Sequence, residues 1–368
     1  MGSKTERLLS LDVFRGITIA GMVLVNSPGN ETAYAPLDHS AWNGCTPTDL
    51  VFPFFIFIVG LSLVYSFSSR LAQGKSRSEL LAQVLRRTVI LFALGLLMNG
   101  FPHYNLSLIR IPGVLQRIAL CYFFASLAFL YTSTVFEIVG IVAALTGYWW
   151  MMTHVGVPGF GAGNLTPEGN LAACVDRMLL GKHLYRPVYD PEGILSTIPA
   201  VATALLGNLA GRWLRSVGAQ AHKITGLLEA GGVLLLIGWK WDRIFPINKA
   251  LWTSSYVCWT AGWALLLLAF CYWALEMKGW RRWSRPFEVF GVNAIAVYVL
   301  HIFFLKLQNL WHIPQLDGSP GNLRIFISEH LFGWMSRLDP SAAYAASYTL
   351  LWMAFAWVLW RKKIFIKI

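Results

Sequence analysis

Charge is what this sequence has least of. Of its 368 residues, 13% are Asp, Glu, Lys or Arg, against about 25% in a soluble domain. Acidic residues are scarcest, with 18 against 30 basic ones. Leu50–Phe67, Ile118–Phe136, Gly193–Gly211, Ala250–Leu275 and Ala342–Trp360 carry no charge at all. A helix needs about 20 mostly apolar residues to cross hydrocarbon. The poverty in charge therefore excludes a soluble globular chain. The sequence also lacks alternating segments of about ten residues, which excludes a transmembrane barrel. It lacks a small-residue cleavage site after Leu11–Val25, so that block reads as a retained span. No internal repeat, low-complexity tract or soluble domain stands out.

Cysteine is scarce as well. Cys121, Cys258 and Cys271 lie in apolar segments and read as packing residues. Cys45 and Cys174 fall in loops assigned to one face, where a disulfide is the alternative to two free thiols. No spacing suggests a metal site.

What remains is hydrophobic: 56% of residues, with mean hydropathy +0.54. The expected fold is all-α, a polytopic transmembrane bundle of about ten spans. They cover roughly 11–27, 48–67, 80–100, 113–132, 135–153, 193–211, 223–240, 250–275, 287–306 and 342–360. Asn322–Trp334 is apolar but short, and reads as a re-entrant or interfacial helix. The whole chain, 1–368, reads as a single transmembrane domain.

The net charge of +12 would suggest nucleic acid in a soluble protein. Here it follows topology. Basic residues crowd 70–87, 212–223, 278–285 and 361–363, all on one side in the ten-span arrangement. By the positive-inside rule that side is cytoplasmic and includes both termini. Such a face also attracts anionic lipid and polyphosphate ligands. The opposite face receives the loops at 28–47, 101–112, 154–192, 241–249 and 307–341.

Ionisable side chains inside hydrocarbon are costly, so each needs a reason. Asp12 and Arg15 share a helix face and form a local pair or offer Arg15 to a phosphate. Asn26 ends the first helix, as a terminator or as a functional amide. Asp49 opens the second helix, where an acid caps well. Arg117 lies toward the external face, where positive charge is not favoured. Glu229 and His301 read as satisfied interhelical hydrogen bonds. His39 differs, because it sits in a loop with Asp38, Trp42 and Asn43. A histidine there can act as base or nucleophile, and Trp42 offers a platform for a sugar face. Asp38 could orient the ring, although adjacent residues rarely face each other.

Five motifs now stand in order. Leu9-Ser10-Leu11-Asp12-Val13-Phe14-Arg15-Gly16 opens the first helix. His39-Ser40-Ala41-Trp42-Asn43-Gly44 runs on to Asp49-Leu50-Val51-Phe52-Pro53. Arg110-Ile111-Pro112-Gly113-Val114-Leu115-Gln116-Arg117, Tyr189-Asp190-Pro191-Glu192-Gly193-Ile194-Leu195 and Asn248-Lys249-Ala250-Leu251-Trp252 follow. Together they resemble the heparan-α-glucosaminide N-acetyltransferase family, including its bacterial homologues, over most of the chain.

That resemblance implies transfer of acetyl from cytoplasmic acetyl-CoA to the amine of a glucosamine-type sugar on the far side. It places the active-site histidine at His39 and the helix-one asparagine at Asn26. Lysosomal members carry an additional amino-terminal luminal region and span. The expectation here is a bacterial inner-membrane enzyme with a smaller amino sugar as acceptor and the His39 loop periplasmic. Trp42 and Asn43 would hold the sugar, and Asp190 and Glu192 would attract its ammonium. Arg15, Arg86, Arg87, Lys223 and Arg285 are the candidates for the nucleotide phosphates. The expected partners are acetyl-CoA as co-substrate, the amino sugar and the lipid bilayer, with no nucleic acid and no metal, and a homodimer left open. The closest rival is a membrane O-acyltransferase of sugars. A secondary transporter is more distant, because it would show inverted repeats and broken helices.

Overall fold

The structure, a computed structural model, describes residues 8–30, 34–314, 321–336 and 339–366. Among these residues no strand forms beyond two isolated bridges. Thirteen α-helices follow one another: α1 (Leu9–Asn26), α2 (Pro47–Ala72), α3 (Arg77–Gly100), α4 (Val114–Tyr131), α5 (Thr134–His154), α6 (Leu171–Leu180), α7 (Thr197–Arg215), α8 (Gln220–Trp241), α9 (Ser254–Tyr272), α10 (Arg285–Val292), α11 (Ala294–Leu310), α12 (Leu323–Phe332) and α13 (Asp339–Arg361).

The all-helical polytopic expectation holds, with a refinement in span count. Among the described residues, α1 to α5, α8, α9 with its extension to Met277, and α13 are the eight helices long and apolar enough to cross a membrane. The expected span at 287–306 is α10 and α11, bent by 80°, with Asn293 between them. The expected span at 193–211 is α7, a 19-residue helix. Its buried face holds Thr203 and Asn208, and its last turn holds Arg212 and Arg215, so it is less apolar than its neighbours. The Asn322–Trp334 stretch forms α12, ten residues long and too short to span. One helix was not expected, α6, within the long 154–192 loop. Asn170 caps it, its Oδ1 accepting from Ala173 N at 2.7 Å.

The chain forms two compact units. The first comprises Ala41–Cys45 and Pro53–Ala269; the second comprises Arg7–Ser40, Thr46–Phe52 and Phe270–Ile368. In the first, α3 packs on α4, and α4 and α5 pack on α7. A capping box starts α3: Glu79 N donates to Ser76 Oγ at 3.2 Å and Ser76 N to Glu79 Oε2 at 2.9 Å. Residues Gly60 and Gly207 let α2 and α7 touch at the backbone. A Cβ at Gly60 would lie 1.9 Å from Ala204 O, and one at Gly207 2.0 Å from Phe57 O. Small residues at such seams are how apolar helices approach closely in lipid. Buried Glu137 is not left alone. Arg212 grips it with Nε at 3.1 Å and Nη2 at 3.0 Å. Outward faces of α3, α5 and α8 are apolar, with Leu97, Val142, Leu236 and Trp239 exposed, as hydrocarbon requires and water does not.

In the second unit α1 lies on α10. Ser10 N donates to Glu276 Oε1 at 3.0 Å. Asn293, buried at the bend, holds the chain end with two bonds. Its Nδ2 donates to Ile364 O at 3.1 Å, and its Oδ1 accepts from Ile366 N at 3.0 Å. None of the five cysteines, Cys45 and Cys174 included, is in a disulfide.

Candidate active site

The start of α2 explains the position of His39. Thr46 precedes the helix, and Asp49 sits in its first turn. A carboxylate there turns back toward the unpaired backbone donors of the helix end. Asp49 Oδ2 accepts from Thr46 N at 3.1 Å and Thr46 Oγ1 at 3.2 Å, and from Ser40 N at 3.0 Å. Its other oxygen, Oδ1, lies 2.7 Å from His39 Nδ1. The loop is folded back by Thr46 Oγ1, which donates to Asp38 O at 2.7 Å, and Thr48 Oγ1, which donates to Pro36 O at 3.1 Å.

Asp49 is 1% exposed. A buried carboxylate is tolerable only when hydrogen-bonded, and these donors meet that need. As an acceptor it takes the proton on His39 Nδ1, so the lone pair of the imidazole lies on Nε2. The His39 side chain keeps 50% of its surface. The imidazole is thus fixed from behind by a carboxylate, with half of its side chain open. Asp38, the neighbour in sequence, does not orient the ring. Its Oδ1 accepts from His39 N at 2.7 Å and shapes the backbone. Asn26 lies in the same unit, at the last turn of α1. It is exposed, and its amide takes no partner among the described residues.

Ala41–Cys45, just after Ser40, belong to the first unit. Trp42 Nε1 donates to Leu165 O at 2.9 Å, and its ring meets Tyr189 edge to face, centroids 5.1 Å apart. Asn43 is exposed, and its Oδ1 accepts from Asn248 Nδ2 at 3.1 Å. Gly44 N donates to Ile247 O at 2.7 Å. Trp42 is thus held rigidly, its polar edge used.

Asp190 and Glu192 are both held by Arg110. Arg110 takes Asp190 bidentately, Nε to Oδ2 at 2.8 Å and Nη2 to Oδ1 at 2.6 Å, and also binds Glu192. Tyr185 N and Glu192 N also donate to Asp190, which is 3% exposed. These acids neutralise Arg110 and pin the loop. Arg117 is 1% exposed. It donates to Pro191 O at 2.9 Å, Gly193 O at 3.0 Å and Ser196 Oγ, and stacks over Trp252 at 5.0 Å. It is an internal strut for this loop, which gives the buried guanidinium its partners.

Asp176 on α6 completes the cluster, accepting from Ile194 N at 2.8 Å. Burial pushes its carboxyl up to about 6, against the lowering effect of that hydrogen bond and of nearby Arg117 and Arg177. A raised acid binds its proton more tightly folded than unfolded. Its contribution to stability is therefore present below about 4 and is lost as pH rises through about 6. Asp176→Asn keeps the acceptor for Ile194 N and stays neutral. We expect its melting temperature in detergent to gain on wild type by a few degrees between about pH 4.5 and 7. A constant difference across that range would show that burial of the ion is not the cause.

A family model described as "Heparan-alpha-glucosaminide N-acetyltransferase, catalytic" matches residues 7–240. The chain belongs to the heparan-alpha-glucosaminide N-acetyltransferase family. The protein of that name from Homo sapiens is 33% identical over 98% of this chain, and the one from Mus musculus 31% identical over all of it. The chain spans about 60% of the length of these relatives.

The family match takes in Asn26, His39, Trp42, Asn43, Asp49 and the Arg110–Asp190 cluster, and it ends before Arg285. Four of the five candidate phosphate contacts already have partners. Arg15 pairs with Asp12 at 3.2 Å. Arg87 lies over Tyr122 at 4.7 Å. Lys223 Nζ donates to Leu214 O at 2.8 Å, closing the end of α7. Arg285 sits over Trp357 and Trp360 at 5.7 and 5.5 Å. Arg86 is exposed.

Proposed function

We propose that this chain transfers acetyl from acetyl-CoA to the amine of a glucosamine-type sugar, with His39 as general base. The observation that carries the proposal is the His39–Asp49 pair, a buried carboxylate behind a half-exposed imidazole. Family membership supplies the reaction class. In this reading His39 Nε2 takes a proton from the sugar nitrogen, which attacks the thioester carbonyl. The C–S bond breaks, and the imidazolium returns the proton to the departing thiolate. Asp49 stabilises that imidazolium by accepting from Nδ1. An acetyl-histidine intermediate is the second route, with the same two residues. Trp42 and Asn43 are assigned to the sugar. Arg86 is the first candidate for the nucleotide phosphates, since it is exposed and, unlike the other four, takes no partner among the described residues.

Orientation follows the charge. The basic segments at 70–87, 212–223, 278–285 and 361–363 are assigned to the cytoplasm and the His39 loop to the opposite face. Coenzyme A cannot cross hydrocarbon with its phosphates, so its nucleotide stays on the basic side.

Asn26 is assigned to the oxyanion of the tetrahedral intermediate. Asn26→Ala is expected to lower kcat by about 10²–10³-fold with little change in the sugar KM. A loss below threefold would leave Asn26 as a helix terminator. The reaction itself is tested with purified protein, labelled acetyl-CoA and a panel of sugars. Label on glucosamine with none on glucose supports the proposal. Equal labelling of hydroxyl-only sugars would favour O-acyl transfer, and no labelling would refute both.

A further inference from the structure

A groove of about 510 Å³ opens on the surface of the first unit, where the end of α5 meets the end of α8. Trp149 comes from α5. Leu236, Ile237, Lys240 and Trp241 come from α8, and Ile244 follows that helix. Leu236, Ile237 and Ile244 are exposed. Trp149 and Trp241 meet edge to face, centroids 6.1 Å apart.

Lys240 is the charged residue of this lining, and it has a companion. Its Nζ lies 5.3 Å from the centre of the Trp239 ring, and the Arg243 guanidinium lies 4.8 Å from the centre of the same ring. Both cations are exposed, and neither forms an ion pair among the described residues. Asp242 stands between them in sequence, but its Oδ1 accepts from Ile247 N at 2.6 Å. One carboxylate against two cations leaves a positive surplus. Lys240 and Arg243 also lie outside the four basic segments on which the orientation proposed above rests.

Water does not suit a groove walled by leucine, isoleucine and tryptophan, and hydrocarbon alone does not suit two cations without a counter-ion. A soluble anion would meet the cations and leave the wall bare. An occupant that meets both has an apolar chain and an anionic head. Tryptophan beside lysine or arginine also marks the level where hydrocarbon gives way to headgroups. The volume falls within the ~300–1,000 Å³ common to ligand sites.

We propose that this groove binds one anionic phospholipid, an acyl chain against Trp149, Leu236, Ile237 and Trp241 and the phosphate between Lys240 and Arg243. Its floor is shared with Trp42, because Trp42, Trp149 and Trp241 pack against one buried cluster of Tyr148, Met152, Ala172, Phe245 and Leu251. A lipid seated there braces that cluster and raises the melting temperature. The proposal rests on the surface of this unit and not on acetyl transfer, so the two fail separately.

The test uses the delipidated full chain in detergent and native mass spectrometry, with dioleoyl phosphatidylglycerol as the probe. The tightest-bound copy is expected to bind at least tenfold more tightly than dioleoyl phosphatidylcholine, at about fivefold for each cation. Lys240→Gln with Arg243→Gln should erase that preference and the gain in melting temperature. These side chains are exposed, so the double variant should fold. Lys362→Gln with Lys363→Gln, on the exposed basic tail, should keep both. Leu236→Trp, which fills the groove from an exposed position, should weaken phosphatidylglycerol by a similar factor. Glycerol 3-phosphate should not displace the lipid. Equal binding of the two lipids, or a preference kept in both the Lys240/Arg243 and Leu236 variants, would overturn the proposal. So would displacement by glycerol 3-phosphate or an acidic peptide, which would make the occupant a soluble anion.

Discussion

His39→Ala is expected to remove acetyl transfer by at least about 10³-fold, the upper part of the range for a general base. If His39 forms an acetyl intermediate, the loss is larger still. The protein should remain folded, because the side chain is half-exposed and buries little apolar surface. Asp49 would keep its bonds to Ser40 N, Thr46 N and Thr46 Oγ1, so the helix start survives. The measurement is initial rate with saturating acetyl-CoA and sugar, beside a melting curve. A variant that melts like wild type and turns over like wild type would end the assignment of His39.

Asp49→Asn is expected to lower kcat by about 10³–10⁴-fold, although the substitution is nearly isosteric. The side-chain oxygen of Asn can still accept from Ser40 N and Thr46 N. Its NH₂ would then face His39 Nδ1, where the carboxylate accepted. Nδ1 becomes the acceptor, the ring proton moves to Nε2, and the nitrogen facing the reactant loses its lone pair. Replacing the carboxylate of a catalytic histidine–aspartate pair by an amide costs about 10⁴-fold for this reason in the serine proteases. Substrate KM values should change little. Asp49→Glu and Asp49→Ala add a control. If all three variants lose activity only in proportion to lost folding, Asp49 is a helix cap and nothing more.

The helices were legible because hydropathy is local. Ten apolar stretches gave ten helical regions, and each starts within a few residues of expectation. What the stretches did not show is where a helix bends or how polar a buried face is. The 80° bend before Ala294 sits at Asn293, whose partners Ile364 and Ile366 lie over 70 residues away. Likewise α7 looks like any span by lack of charge, but its Gly207 and Asn208 serve contacts with α2 and with Ala125 O.

The site was half legible for the same reason. His39 stood out by residue type and motif. Asp49 was read as a cap, and it is one, since Thr46 donates to it. That it also holds His39 depends on a loop folding back through Thr46, Thr48 and their carbonyl acceptors, which no local pattern announces. Asp190 and Glu192 looked like free external acids. Their counter-ion Arg110 lies 80 residues earlier, and sequence spacing says nothing of that pairing. Arg117 was anomalous in sequence, and the structure supplies the loop carbonyls that account for it.

The central claim is acetyl transfer through His39 from acetyl-CoA on the basic face to an amino sugar on the other. It is tested most directly in sealed proteoliposomes of known protein orientation, established by labelling cysteines placed at Ser40 and Lys362. Labelled acetyl-CoA is supplied on the Lys362 side and glucosamine on the Ser40 side. The account predicts N-acetylglucosamine on the Ser40 side, none when the two substrates are exchanged, and none with His39→Ala. Product formed equally by His39→Ala, or only when both substrates share one side, would contradict it.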